Sequence, residues 1–388
     1  MNSRRAAVLV LGAGVSGFAA RELLVNEGVE VVVLGKGDVI PYGDYDFAVI
    51  SPGIPQDDPL ARECIARGIP LKSELQLGVE ALKRKGWRLL AVTGSKGKSS
   101  AVKVIADSIN LAGGNAVACG NYGLPVSKVA LSKTPGWAVV EVSSFMMETT
   151  SLPEDFFEAA AILNLQEDHL DRHGSVEVYH ALKKRLLTMA KVDAGAKLDA
   201  RDGDEVSGSY FDNAILRQNG IIASRMMAIA GLDEAARRRG FKEFVPLAHR
   251  MNEVAVIDGV KYIDDSKATS LAALAAGVQM AGRNVRLIAG GLPKGDDPKN
   301  VLSALTNRVK KVYIIGQSAE AFFQAWSSEV NCEICGTMDS AVEAVKREAE
   351  CGDTVLLSPG TASYDQFKNF EERGDVFARL VKEGTKNE

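Results

Sequence analysis

At 388 residues the chain is too long for one ordinary core, so two or three domains are expected. Its make-up, 46% hydrophobic and 25% charged with a net charge of −4, is that of a soluble globular protein and gives no support to nucleic-acid binding. The five cysteines, at 64, 119, 332, 335 and 351, are odd in number and scattered, as in a reducing cytoplasm.

The first predicted element is the strand "AVLVL", followed by the turn "GAGVSG", the helix "RELLVNEG" and the strand "VEVVVL". Arg4 and Arg5 before an apolar stretch imitate an export signal, but glycines at 12, 14 and 17 read as a strand and turn, and no run reaches membrane-spanning length. The turn is a GxGxxG fingerprint in the right context. A dinucleotide site would also want an acidic residue ending the second strand, and Leu34-Gly35-Lys36 supplies none. A nucleotide-type fold without NAD is the reading. "DFAVISPGIP" adds a strand, and "KRKGW" (83–87) marks a boundary.

The second region opens on "AVTGSKGKSSAV" (91–102). Gly94 and Gly97 let the backbone N–H groups face one point, and Lys98 and Ser99 open a helix whose positive end can hold an anion. A full phosphate loop would need glycine at 92, where Val92 stands, so the pattern is the shorter GxxGK[ST]. A ligand-free turn is the alternative. "VVEVSSF" puts Glu141 at a strand tip ahead of Ser143 and Ser144, and "ILNLQEDHLDRHG" offers Glu167, Asp168, His169 and Asp171 past another strand end. Singly, Glu141 and His169 read equally well as surface residues; a sheet edge shared with Gly97-Lys98-Ser99 favours a metal. The helix "EVYHALKKRLLTMA" carries Lys183 and Lys184, whose spacing alone assigns no role. From 191 to 224 turn residues dominate and loop or short edge strands are expected. A helix over roughly 225–239 then leads to a boundary near Phe244–His249.

The third region opens with the hairpin "EVAVIDGVKYID", turned at Asp258-Gly259. Strands "VRLIAG", "KVYIIG" and "TVLLSPG" alternate with helices and end in polar, glycine-bearing loops, where ligands of open α/β sheets bind. "DDSKATS" gathers Asp264, Asp265, Lys267 and Thr269; Lys267 and Lys294 suit a carboxylate or phosphate, or stand as ordinary surface lysines. Cys332 and Cys335 form "CEIC", but two further zinc ligands are missing nearby and "VNCEICG" reads as a short buried strand, so both are taken as structural. Strand–helix alternation makes the class α/β with parallel sheets.

In order, "TGSKGKSS", "GNYGLPV", "EVSSF", "EDHLDRHGS", "YHALKKRL", "HRMNEV", "DDSKATS", "GGLPKGDD" and "LLSPGTASYDQFKNFEERGDVF" resemble the Mur ligases, and within them the D-glutamate-adding branch. The stretches run from about residue 90 to the end; "GAGVSG" and "SPGIP" extend the likeness more loosely. The resemblance implies three domains: a Rossmann-like UDP-sugar domain (1–86), a central P-loop ATPase-like domain that binds ATP (87–247) and a Rossmann-like C-terminal domain for the amino acid and ATP (248–388). It implies an enzyme that uses ATP and Mg2+, at two sites, to join D-glutamate to UDP-N-acetylmuramoyl-L-alanine through an acyl phosphate. It further implies a cytoplasmic monomer in peptidoglycan precursor synthesis, with neither nucleic acid nor membrane as partner. By position, Gly94, Ser95, Lys96, Gly97, Lys98, Ser99 and Ser100 would bind ATP, with Arg250, Asp265 and Lys267 contacting it from the third domain. Ser99, Glu141 and His169 would hold metal, with Lys183 if carbamylated; Tyr179, four residues earlier, selects Lys183 over Lys184. Lys98, Glu141, His169 and Lys183 would be catalytic. Val15, Ser16, Asn121 and Ser143 would face the UDP-sugar, and Thr269, Lys294, Ser363 and Phe370 would frame D-glutamate.

Departures gather around adenine. Asn252 replaces the glutamate of the usual HRxE, an asparagine expected ahead of the 225–239 helix is missing from the neighbourhood of Met226 and Met227, and 191–224 is short. A ligase of the same superfamily with another acceptor, and a non-catalytic nucleotide-binding relative, therefore stay open beside the D-glutamate ligase.

Overall fold

The structure, a computed structural model, describes residues 7–167, 170–196 and 203–383. By contacts the chain divides into two compact units, Met1–Phe244 and Val245–Glu388. The first holds two four-stranded sheets and the second one six-stranded sheet. The class is α/β, as the alternation predicts.

In the first unit, β1 (Ala7–Leu11), β2 (Glu30–Leu34), β3 (Phe47–Ile50) and β4 (Leu71–Ser73) lie in the order β2-β1-β3-β4, all parallel. Next come β5 (Arg88–Thr93), β6 (Ala116–Gly120), β7 (Trp137–Glu141) and β8 (Ala159–Ile162), again parallel, in the order β6-β7-β5-β8. Their near-continuous apolar runs suit strands covered on both faces: β7 is buried throughout and β5 from Leu89 onward. Helix Glu74–Arg84 stands between the sheets. Ser73 caps its start by accepting from Gln76 N, Glu74 lies in its first turn, and Lys83 and Arg84 close its last. A side chain at Gly78 would meet Val126 and Ser127 at 2.7 Å, so the short helix Val126–Val129 sits directly on it. One core therefore runs through both sheets, with Val8, Val10, Leu82, Trp87, Leu89 and Val140 among its members.

The second unit pairs β9 (Asn252–Ile257) antiparallel with β10 (Val260–Asp264) through a turn whose Asp258 and Gly259 have φ of 51° and 75°, the two positive values of a type I′ hairpin. The remaining strands, β11 (Val285–Gly290), β12 (Val309–Ile315), β13 (Cys332–Gly336) and β14 (Thr354–Leu357), complete the order β13-β12-β11-β14-β10-β9. β10 to β14 run parallel, so their carboxyl ends share one edge.

Three expectations change. The single helix over 225–239 is two helices, Arg217–Ile229 and Glu234–Lys242, separated at Gly231 (φ 100°) and restarted by the Asp233 cap. "RQNG" looks like a turn, but Gly220 faces Phe211 and Val206, where any side chain would come within 2.9 Å, so close packing keeps it helical. The stretch 191–224 thus holds the start of a helix and a 3-10 turn, Asp204–Val206. Finally, "CEIC" is an edge strand only half buried; burial still pushes both thiols up to about 11, which leaves them inert. Among the described residues no helix is long and apolar enough to cross a membrane.

Candidate active site

β5 ends at Thr93 and helix Lys98–Leu111 begins five residues later, so the intervening loop turns within Gly94–Gly97. Gly94 (φ 147°) and Gly97 (φ 80°) adopt conformations that side chains resist. A Cβ on Gly97 would lie 2.1 Å from Asn219 Nδ2, so the loop closes against the helix Arg217–Ile229. Asn164 clips the loop from the other side. Its Oδ1 accepts from Lys96 N (2.8 Å), its Nδ2 donates to Lys96 O (2.9 Å), and its carbonyl accepts from Ser95 N (3.0 Å). Ser95 Oγ lies 3.0 Å from Tyr179 Oη and accepts from Gln166 N. The helix opens without a side-chain cap, and Ser99 and Ser100 are buried in its first turn.

Two lysines converge on one carbonyl. Lys98 Nζ donates to Gly94 O (2.7 Å) and Ser95 O (2.9 Å), and Lys183 Nζ donates to the same Gly94 O (3.0 Å). Lys183 is almost wholly buried, its amine 4.6 Å from the Tyr179 ring centre on helix Val176–Lys184. Tyr179 is one turn earlier on that helix, which is why the pair meets the loop together.

Glu141 pairs in register with Val92 on the adjacent strand, so it stands beside the loop. It is buried; Oε1 accepts from Asn121 Nδ2 (2.8 Å), while Oε2 is buried with no hydrogen-bond partner among the described residues. Such an oxygen is costly unless something binds it. Carboxylate and hydroxyl oxygens are the ligands Mg2+ takes, and a glycine turn into a helix start suits a polyphosphate, so Ser99, Glu141 and the loop fit a magnesium–nucleotide group. His169 lies outside the described residues. Asn121 N also donates to Glu141 O (2.9 Å), and Ser143 caps the short helix Ser144–Met147.

At the first sheet, the turn after β1 is as tight as its glycines require. A Cβ on Gly17 would lie 1.8 Å from Gly12 O, and one on Gly12 would lie 2.7 Å from Ser51 Oγ. Val15 is 77% exposed at the start of helix Val15–Asn26, and Ser16 follows it, half buried.

In the second unit, three strand-end loops are stitched together. Gly360 N donates to Ala268 O (2.8 Å), and Leu292 and Ala362 exchange backbone hydrogen bonds (2.9 and 3.1 Å). Arg373, fully buried, donates to Ser266 Oγ and O and to the carbonyls of Thr361 and Ala362. Burial lowers its pKa to about 10. Thr269 and Lys294 approach to 3.4 Å, Lys267 Nζ lies 3.8 Å from the Phe370 ring centre, and buried Ser363 follows the Leu292–Ala362 bridge. Asp265 accepts from Ser358 Oγ (2.9 Å) and Met251 N (3.3 Å), and burial pushes its carboxyl up to about 7. His249 Nδ1 lies 2.6 Å from Asp264 Oδ2, a hydrogen bond that raises the imidazole pKa against its partial burial; half-buried Arg250 follows.

Within the first unit, then, Gly94–Ser100, Glu141, Asn121 and Lys183 come together; Val15 and Ser16 lie on the first sheet's edge. Within the second, Thr269, Lys294, Ser363, Lys267 and Phe370 share the carboxyl edge with Asp265. Asn164, Asn219, His249 and Arg373 escaped the sequence reading as site residues. Asn219 was hidden by the misplaced helix start, whereas Arg373 sits in "ERGD" with Gly374, whose Cβ would lie 2.1 Å from His249 Nδ1. An arginine next to a glycine amid acids was the available signal.

Comparison with known proteins bears on both units. Residues 92–206 match the family model "Mur ligase middle domain", and 249–360 match "Mur ligase, glutamate ligase domain". The chain is similar to proteins named UDP-N-acetylmuramoylalanine–D-glutamate ligase. That of Acidobacterium capsulatum is 32% identical, covering 96% of this chain and 95% of the relative. That of Chlamydia abortus is 33% identical over 99% of each. That of Rubrobacter xylanophilus is 36% identical over 94% and 91%. Among solved structures, the fold is like a UDP-N-acetylmuramate–alanine ligase from Thermotoga maritima (TM-score 0.62, 14% identity, covering 98% of this chain and 100% of that one). A MurF ligase from the same organism, solved with ADP, gives 0.61 at 14% identity over 99% and 97%.

Proposed function

Because the chain belongs to the Mur ligase family, we propose that it is an ATP-dependent ligase that joins D-glutamate to UDP-N-acetylmuramoyl-L-alanine in peptidoglycan precursor synthesis. The observation that carries the reading is the buried, unpartnered Glu141 Oε2 beside a phosphate-type loop on which Lys98 and Lys183 both converge. In this reading residues 1–86 take the UDP-sugar, 87–247 the ATP, and 248–388 the amino acid and part of ATP. The protein works as a cytoplasmic monomer.

A carboxylate is a poor electrophile until one of its oxygens becomes a leaving group. In the first step the alanyl carboxylate oxygen forms a bond to the γ-phosphorus as the bond to ADP breaks. In the second the D-glutamate nitrogen bonds the acyl carbon, phosphate leaves with the electron pair, and the nitrogen loses its proton. Phosphoryl transfer depends on positioning and charge neutralisation more than on covalent help. Gly94–Ser100 cradle the phosphates with backbone N–H groups, and Lys98 leaves the Gly94 carbonyl to offset the terminal charge. Ser99, Glu141 and His169, with Lys183 if carbamylated, would hold Mg2+ at two sites, where it supplies further neutralisation. Val15, Ser16, Asn121 and Ser143 orient the UDP-sugar substrate. Arg250, Asp265 and Lys267 contribute to ATP; Thr269, Lys294, Ser363 and Phe370 seat D-glutamate, the lysine facing a carboxylate.

The test is phosphate release. It is expected only when ATP, Mg2+, UDP-N-acetylmuramoyl-L-alanine and D-glutamate are all present. Release that ignores D-glutamate, or a higher rate with L-lysine or diaminopimelate, overturns the acceptor, and ATP binding without turnover overturns the ligase.

A further inference from the structure

A chain of side chains, built on Arg172, Glu148 and His173, joins the first sheet to the phosphate loop. Arg172 Nη2 donates to Ile54 O (3.1 Å), in the loop that follows β3. The same guanidinium grips Glu148 through two parallel hydrogen bonds, Nε to Oε1 (2.9 Å) and Nη2 to Oε2 (2.6 Å). Gln56 Nε2, also in the β3 loop, donates to Glu148 O (2.8 Å). Glu148 directly follows the short helix that Ser143 caps, and its Oε1 lies 3.5 Å from His173 Nδ1. The other ring nitrogen of His173 is 2.9 Å from Ser144 Oγ, and the imidazole lies 5.6 Å, centre to centre, from Tyr179. Tyr179 Oη meets Ser95 Oγ of the loop.

The arrangement is rigid for physical reasons. A bidentate arginine–carboxylate pair fixes angle as well as distance. The side chains of Arg172, Glu148 and His173 are only 18%, 14% and 2% exposed, so solvent screens the pair little and gives the groups few alternative partners. Both ends are anchored on backbone or loop atoms of the substrate-facing edges, not on a distant surface.

We propose that Arg172, Glu148 and His173 act as a positioning relay that sets the β3 loop, with the UDP-sugar end of the acid substrate, at a fixed distance from the phosphate loop. The substrate carboxylate then arrives in line with the terminal phosphate. The relay rests on the ligase reading for the identity of that substrate. Misplacing a reacting group by an ångström is enough to lose much of the rate, so the relay's effect lies in the geometry of the first step and not in contact with it.

Arg172→Lys and Glu148→Gln keep size and remove the fork. Each is expected to raise KM for UDP-N-acetylmuramoyl-L-alanine about tenfold and to lower kcat, while the calorimetric affinity for ATP stays at the wild-type value. Gln56→Ala, an exposed change that spares the core, should raise the same KM roughly two- to threefold. A purely structural pair would lower the melting temperature and leave these ratios alone. Wild-type KM for the UDP-sugar substrate in the folded variants, or equal changes for all three substrates, overturns the relay. If the Arg172 and Glu148 variants do not fold, Gln56→Ala decides. If wild type shows no D-glutamate-dependent phosphate release, the ligase reading fails by itself, and the relay is then judged by whether Gln56→Ala weakens binding of UDP-N-acetylmuramoyl-L-alanine alone.

Discussion

The strand ends around Gly94 and those around Arg373 both bury charge, but they treat it in opposite ways. At Gly94 the carboxylate of Glu141 keeps an oxygen with no partner among the described residues, and two lysine amines crowd a single carbonyl. At Arg373 the guanidinium is surrounded by acceptors from Ser266, Thr361 and Ala362. The lysines beside it, Lys267 and Lys294, are less buried. A saturated buried charge is scaffold, because removing it orphans its partners; an unsaturated one is held ready for something that binds. The second unit uses Arg373 to tie loops so that outlying lysines can be placed. In the first, the loop itself is the proposed binding surface.

That contrast breaks most sharply under substitution. Lys98→Ala or Lys183→Ala should lower kcat/KM about a thousandfold with little change in thermal stability, measured by phosphate release and calorimetry. Short-chain carboxylic acids should restore part of the activity of Lys183→Ala if its carbamate supports a metal; full activity without them contradicts the role. Arg373→Met should do the reverse, destabilising the chain by about 3 kcal/mol or more in denaturant titration, since carbonyls packed around the guanidinium lose their donor. A smaller effect is expected at Gly97→Ala, where both the positive φ and Asn219 oppose a side chain. KM for ATP should rise about tenfold with KM for D-glutamate unchanged.

The mildest test is pH. Asp265, raised to about 7 by burial, keeps in the fold a proton that the unfolded chain releases near pH 4, so its contribution to stability declines as pH rises from about 4 through 7. His249, raised mainly by its hydrogen bond to Asp264, contributes stability that is complete below the ordinary imidazole value and is lost as pH climbs through its own. Both slopes have one sign. The apparent melting temperature should fall from pH 5 to 9, and Asp265→Asn, whose amide can still meet Ser358 and Met251, should flatten the lower part of that fall. A melting temperature that rises over this range contradicts both assignments.

What the amino-acid order determined by itself was local. Apolar runs in alternation specified parallel α/β sheets, Asp258-Gly259 specified the hairpin, and the spacing of Gly94, Gly97, Lys98 and Ser99 specified a glycine turn into a helix start. Glu141 at its strand tip was legible for the same reason, since a strand's last residue projects toward the loops of its neighbours. Only the tertiary structure decided the rest. Lys183 reaches Gly94 across 89 positions of sequence, and Arg373 reaches Ser266 across 107. The helix at Arg217 forms through "RQNG" because Gly220 packs on Phe211 and Val206 and Asn219 packs on Gly97. Such contacts leave no local periodicity or turn signal, for their energy comes from groups that meet only when separate elements have packed.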